Sequence, residues 1–133
     1  MPNTIANPAG LHDPTPFGYS HSVRIAAGSE LVVIAGQYGS GPDGSLASTA
    51  FADQVGQSFH NLGLALAAHE LDLTNVVQLR TYVVDHDFDK LGIIVGAIAE
   101  AWGARPPANT LIGVAALATP DLLFEVEAMA ARP

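Results

Sequence analysis

The sequence predicts an α+β domain in the order ββαβαββ, with one sheet carrying two helices on one face. Three observations lead there. Two stretches space their apolar residues by threes and fours, as amphipathic helices do. Five others are short, β-branched or alternating, and bounded by turn signals, as strands are. The helical stretches lie between strand stretches, so strand and helix alternate through the middle of the chain.

Taken in order, residues 1–16 hold Pro2, Pro8, Pro14 and Pro16 and read as an extended arm, leaving 17–133 as a single domain. Tyr19–Ala27 and Leu31–Gln37 flank a Gly28-Ser29-Glu30 turn and predict a first hairpin. Ser48 to about Leu71 carries Phe51, Val55, Phe59, Leu62 and Leu66 at helical spacing, with Ser48 or Thr49 as the expected cap. Val76–Val84 is a strand. Asp85 or Asp87 then caps a second helix through Phe88, Leu91, Val95, Ile98 and Trp102, which Gly103 ends. Thr110–Leu117 and Leu123–Ala130 flank Thr119-Pro120-Asp121 and predict a second hairpin. Alternation in the last run puts Phe124, Val126, Ala128 and Ala130 on one face and Glu125, Glu127 and Met129 on the other. Gly56, Gly63, Gly92 and Gly96 each cost about 1 kcal/mol against Ala inside a helix. Close packing of helix on sheet is the expected compensation.

Composition narrows the function. The chain has 133 residues, a net charge of −8 and five basic residues scattered along it. A phosphate-backbone binder needs clustered Lys and Arg, so no nucleic-acid partner is expected. Without cysteine there is no disulfide framework and no thiolate chemistry. No apolar run reaches the roughly 18–20 residues of a membrane span, and the N-terminus lacks a basic start and apolar core. A soluble cytoplasmic protein is the expectation. The five histidines show no metal-ligand spacing. Asp85-His86-Asp87-Phe88-Asp89 opens like a calcium loop but has Lys90 and Gly96 where glycine and glutamate are needed. Gly39-Ser40-Gly41-Pro42-Asp43-Gly44 matches a dinucleotide string, yet Pro-Asp-Gly is a turn and the helix starts later. No cofactor and no metal is expected.

Leu31–Gly36 and Thr110–Leu117 hold no charged residue on either face. Two helices cover one side of a sheet, so the other apolar side calls for a partner, most economically another copy of the chain. Glu125 and Glu127 share a strand face about 6–7 Å apart and are the best acid–base candidates; hydrated acids facing an oligomer cavity are the alternative.

The stretch Pro107-Ala108-Asn109-Thr110-Leu111-Ile112-Gly113-Val114, followed by Glu125-Val126-Glu127-Ala128-Met129-Ala130, resembles the C-terminal signature of the Rid family (YjgF-like, reactive-intermediate deaminases). That signature is a P-A-R-S-T-V-x-V-x-x-L block and an E-I-E-A-I-A strand. The resemblance covers about residues 17–131. It implies a chorismate-mutase-like fold, a homotrimer, and small-molecule sites in clefts between subunits. It also implies hydrolysis of imine or enamine intermediates. Carried over by position, Glu125 would position the hydrolytic water. Tyr19, Gly36, Gln37, Asn109 and Thr110 would bind the ligand. The family arginine, which grips a substrate carboxylate in a forked pair, is Asn109 here. The family serine before Gly36-Gln37 is Ala35, and the asparagine on the second helix is Gly92. Asn cannot make the forked, charge-assisted pair. The resemblance therefore implies either a deaminase with altered substrate preference or a non-catalytic small-ligand-binding or interaction protein.

Overall fold

The computed structural model describes the whole chain, Met1–Pro133. Its layering follows from strand β6 (Phe124–Arg132), in which Phe124, Val126, Ala128 and Ala130 are buried and the residues between them partly exposed. The buried row meets Val55, Phe59, Leu62 and Leu66 of helix α1 (Phe51–Ala67) and Ile94 and Ile98 of helix α2 (Phe88–Trp102) in one core cluster. Both helices therefore lie on one face of the sheet. Each fully buried Leu, Ile or Phe there contributes about 1.5–3 kcal/mol.

The sheet has the order β3-β6-β4-β5, with β3 at Glu30–Gln37, β4 at Val76–Val84 and β5 at Ala108–Val114. β6 runs antiparallel to both neighbours, and β5 runs parallel to β4. Strand β4 and helix α2 fall where the sequence predicts them. Asp87 caps α2 by accepting a hydrogen bond from Lys90 N at 2.8 Å, and Gly103 ends it at φ 59°.

Neither predicted hairpin forms. Residues 22–24 (β2) pair with Thr4–Ala6 (β1) in a separate two-stranded sheet and not with β3. Asn3 explains this: its Nδ2 donates to Ala131 O at 3.1 Å while its Oδ1 accepts from Ala26 N at 3.0 Å, stitching the arm over the end of β6. At the C-terminus, β4 lies between β5 and β6. Helix α2 returns the chain parallel to β4, so the Thr119–Leu122 turn must step across β4 before β6 begins. Gln54, 1% exposed, holds that step from α1: its Nε2 donates to Asp121 O at 3.0 Å and its Oε1 accepts from Leu123 N at 2.8 Å.

Two smaller expectations also change. Helix α1 starts at Phe51 behind Ala50, so neither Ser48 nor Thr49 is the cap; Ser48, two residues too early, accepts from Ala50 N at 3.1 Å and donates to Asp53 at 2.9 Å. A Cβ at Gly56, Gly63, Gly92 or Gly96 would meet nothing within 4 Å, so these glycines do not bring helix close to sheet. Nothing within the subunit explains them.

Candidate functional site

Helix α2 and strand β5 leave a gap at the sheet edge, and the chain ahead of β2 closes one side of it. Ser20 is the anchor. It is buried, its N donates to Pro107 O at 3.1 Å, and its Oγ donates to Pro106 O at 2.6 Å. Gly18 lies against α2 with φ 74°, and a Cβ there would sit 3.4 Å from Val95 Cα. A side chain at that position would be strained and crowded. Ahead of it, Asp13 Oδ1 accepts from Thr15 N at 3.0 Å and from Thr15 Oγ1 at 2.7 Å. These bonds, side chain first, hold the Asp13 carboxyl below its ordinary value just ahead of the 3-10 turn Thr15–Phe17.

The result is a cleft of about 490 Å³, within the range of small-molecule sites. Phe17 and Tyr19 form one wall, Val95 and Ile98 of α2 another, and Asn109, Thr110 and Leu111 of β5 the floor. No Asp, Glu, Lys or Arg lines it. Its polar side chains are the Tyr19 hydroxyl, His12 and the Asn109 amide; Thr110 borders the cleft, but its register opposite Arg80 directs its side chain to the other face of the sheet. Asn109 shares the helix side of the sheet with Leu79 and Leu111, and its Oδ1 accepts a long hydrogen bond from the buried Thr81 hydroxyl at 3.5 Å.

The remaining candidates lie elsewhere in the subunit. Glu125 stands opposite Tyr82 on the face of the sheet away from the helices. Gly36 touches it: a Cβ at Gly36 would overlap the Glu125 carboxylate. There Ala35 and Gly36 bulge out of the β3–β6 pairing between Ile34 and Gln37. Gln37 Nε2 donates to Ala35 O at 3.0 Å. So Gly36, Gln37 and Glu125 gather at one place and Tyr19 and Asn109 at another, with Thr110 next to Asn109 but directed to the Arg80 face. Glu127 has its own partners: the Tyr82 hydroxyl donates to its carboxylate, and Arg80 lies 3.8 Å away. The Glu127 hydrogen bond, with some burial, pushes the Tyr82 hydroxyl pKa up.

Sequence reasoning missed His12, which it placed in the arm, and Phe17. His12 Nε2 lies 2.5 Å from the Tyr19 hydroxyl. A histidine seven residues from a tyrosine carries no signal until Ser20 folds that segment onto β5. A second cleft, also about 490 Å³, lies between β3 and α1, but its amides hold the loop: Asn61 Nδ2 donates to Tyr38 O at 2.9 Å and Ser40 O at 3.0 Å, and Gln57 Nε2 to Ser40 O at 3.2 Å. A smaller one of about 220 Å³ lies between Trp102, Arg105 and the β1–β2 ribbon. No three His, Cys, Asp or Glu side chains converge as metal ligands do. No helix is long and apolar enough to cross a membrane.

A family model described as Endoribonuclease L-PSP matches residues 12–132. Among solved structures, the chain is similar to YyfB of Yersinia pestis, a Rid-family protein. The identity is 39% with a TM-score of 0.93, over 99% of this chain and 100% of that one. Rv2704 of Mycobacterium tuberculosis, from the YjgF/YER057c/UK114 family, is 32% identical with a TM-score of 0.64, over 97% and 98%. RidA of the Antarctic bacterium Psychrobacter is 25% identical with a TM-score of 0.69, over 84% and 86%. No curated protein matches the chain.

Proposed function

We propose, from the premise that this chain belongs to the Endoribonuclease L-PSP family of Rid (YjgF-like) proteins, that it hydrolyses the imine or enamine form of a small uncharged molecule. The ligand would sit in the cleft between α2 and β5. The observation that carries this reading is the composition of the cleft wall: apolar side chains, Tyr19, Asn109 and Thr110, and no cation where the resemblance implies an arginine. A carboxylate bound there would lose hydration without a charged partner. A neutral amide- or hydroxyl-bearing molecule would lose far less.

Hydrolysis needs a water and a group to position it. Glu125 is the candidate, and Gly36 keeps the space its carboxylate occupies. Because Glu125 and the cleft lie on opposite faces of one subunit's sheet, a complete site needs Glu125, Gly36 and Gln37 from a neighbouring copy. The uncovered face supports such an assembly. Leu31 is 53% and Val33 75% exposed on it, and a trimer is the form the resemblance implies. In the reaction, water adds to the imine carbon as Glu125 takes one of its protons and passes it to nitrogen, giving a neutral carbinolamine. Glu125 then carries the hydroxyl proton to nitrogen as well, so that ammonia leaves and the carbonyl product forms.

The test is ammonia release from 2-aminoacrylate and from its carboxamide, by wild type and Glu125→Gln. The carboxamide should be the better substrate, and Glu125→Gln should lose about 100-fold or more. No acceleration with either compound would refute the enzyme reading. A second reading, ligand binding without turnover, is favoured by that same separation of Glu125 from the cleft; thermal stabilisation by the carboxamide without ammonia release would identify it. Nuclease action has little physical support. The net charge is −8, and two of the five basic side chains, Arg80 and Arg132, face Glu127 and Glu30 at 3.8 Å.

A further inference from the structure

The cleft's most polar corner is built from three rings. The Tyr19 hydroxyl oxygen and His12 Nε2 are 2.5 Å apart, so a single proton lies between them. His21 supports the pair from below, with its Nε2 2.8 Å from the His12 carbonyl. A carbonyl can only accept, so that ring nitrogen carries the proton and His21 is the donor. The His12 ring stands edge-on to Phe17 at 6.1 Å and to His21 at 4.9 Å, which fixes its plane toward Tyr19. The titratable groups near His12 are Tyr19, His21 and the adjacent Asp13 carboxylate, already engaged by Thr15. Helix α2 contributes only apolar side chains to the cleft and β5 only neutral ones.

We propose that His12, acting through Tyr19, decides which ligands the cleft accepts. This rests on the cleft being the ligand site and adds the residue that selects within it. Neutral His12 accepts the Tyr19 O–H hydrogen bond on its Nε2 lone pair. The phenolic oxygen then presents lone pairs to the cleft and favours an N–H or O–H donor, such as an imine, amine or carboxamide. Protonated His12 donates Nε2–H to the same oxygen. The phenolic proton turns toward the cleft with a positive charge behind it, and the site favours a carbonyl or carboxylate. One proton on His12 thus reverses the hydrogen-bond sense of Tyr19 and adds the cleft's only cation.

The ligand-free test is the ring tautomer of His12 near pH 8, read by nitrogen-15 NMR of histidine-labelled protein. An Nδ1–H ring, with Nε2 accepting, is expected; an Nε2–H ring would overturn the proposal. Calorimetry near pH 5.5 and pH 8, where histidine side chains change charge, supplies the second arm. The probes are 2-oxobutyrate and 2-oxobutyramide, and the proteins wild type, His12→Gln and Tyr19→Phe. In wild type the carboxylate should bind about tenfold tighter at the lower pH, the margin of a charge-assisted over a neutral hydrogen bond. The neutral carboxamide, which offers carbonyl acceptors without a charge, should tighten far less. His12→Gln should abolish the pH response, and Tyr19→Phe should reduce it. The same pH response in wild type and His12→Gln would overturn the role of His12 while leaving the cleft standing. If neither probe bound at either pH, the cleft reading would fall, and the selector role with it.

Discussion

Replacing Asn109 with arginine puts a guanidinium into a cleft that has no charged side chain. The register of β5 on β4 points position 109 to the helix side and Glu125 of the same subunit occupies the other face, so the carboxylate that could compete for the new cation is the neighbouring copy's Glu125 in the proposed assembly. A neutral hydrogen bond is worth about 0.5–1.5 kcal/mol and one to a charged group about 1.5–3. A carboxylate ligand meeting Arg instead of Asn should therefore gain about 1–2 kcal/mol, or roughly 5- to 30-fold in affinity. Folding stability should fall by about 1 kcal/mol, a typical mutational cost, moderated because the long side chain can carry its head to the cleft mouth. Titration calorimetry of 2-oxobutyrate near pH 8 measures the gain against wild type. Equal affinity in the two proteins would show that position 109 does not contact the ligand, and the positional correspondence drawn for Tyr19, Asn109 and Thr110 would be wrong.

Gln54→Leu should lower stability by about 2–4 kcal/mol in urea denaturation, because it strands the Asp121 carbonyl and the Leu123 amide that one side chain now serves; a loss under 1 kcal/mol would mean water replaces it. Gly56→Ala should raise stability by about 1 kcal/mol, since the added methyl meets open space in a helix; a destabilised oligomer would reveal a contact from another copy. The raised Tyr82 pKa implies a contribution to stability that is full below its unfolded value near 10 and is lost as pH climbs through the higher folded one. Tyr82→Phe should therefore be slightly less stable than wild type at pH 8 and lose less of its stability on going to alkaline pH; parallel thermal-melting curves for the two proteins would contradict the Tyr82–Glu127 bond.

Local periodicity was enough to place most elements. The alternation in Phe124–Ala130 reports burial directly and matches the core, whereas the three-four spacing in Phe88–Trp102 finds Ile98 and Trp102 but includes Phe88, 88% exposed, and omits the buried Ile94. Strand neighbours did not follow from it. A Thr-Pro-Asp turn looks the same whether the flanking strands pair or are separated by a third, and the deciding feature here is Gln54, which lies 67 residues before Asp121. The same limit hid part of the cleft. The family resemblance points to Tyr19, Asn109 and Thr110 by position, whereas His12 reaches Tyr19 only after Ser20 pins that segment to Pro106 and Pro107. Face assignment from the period of two correctly separated Glu125 from Phe124, but it could not relate β6 to β5 while β4 was missing from between them.

A crystal structure of the protein with 2-oxobutyramide bound examines the cleft most directly. The ligand should lie against Val95 and Ile98, with its amide meeting the Tyr19 hydroxyl and the Asn109 side chain. Occupancy of the Ser40–Gln57–Asn61 cleft instead, with the α2–β5 gap left to solvent, would contradict the account.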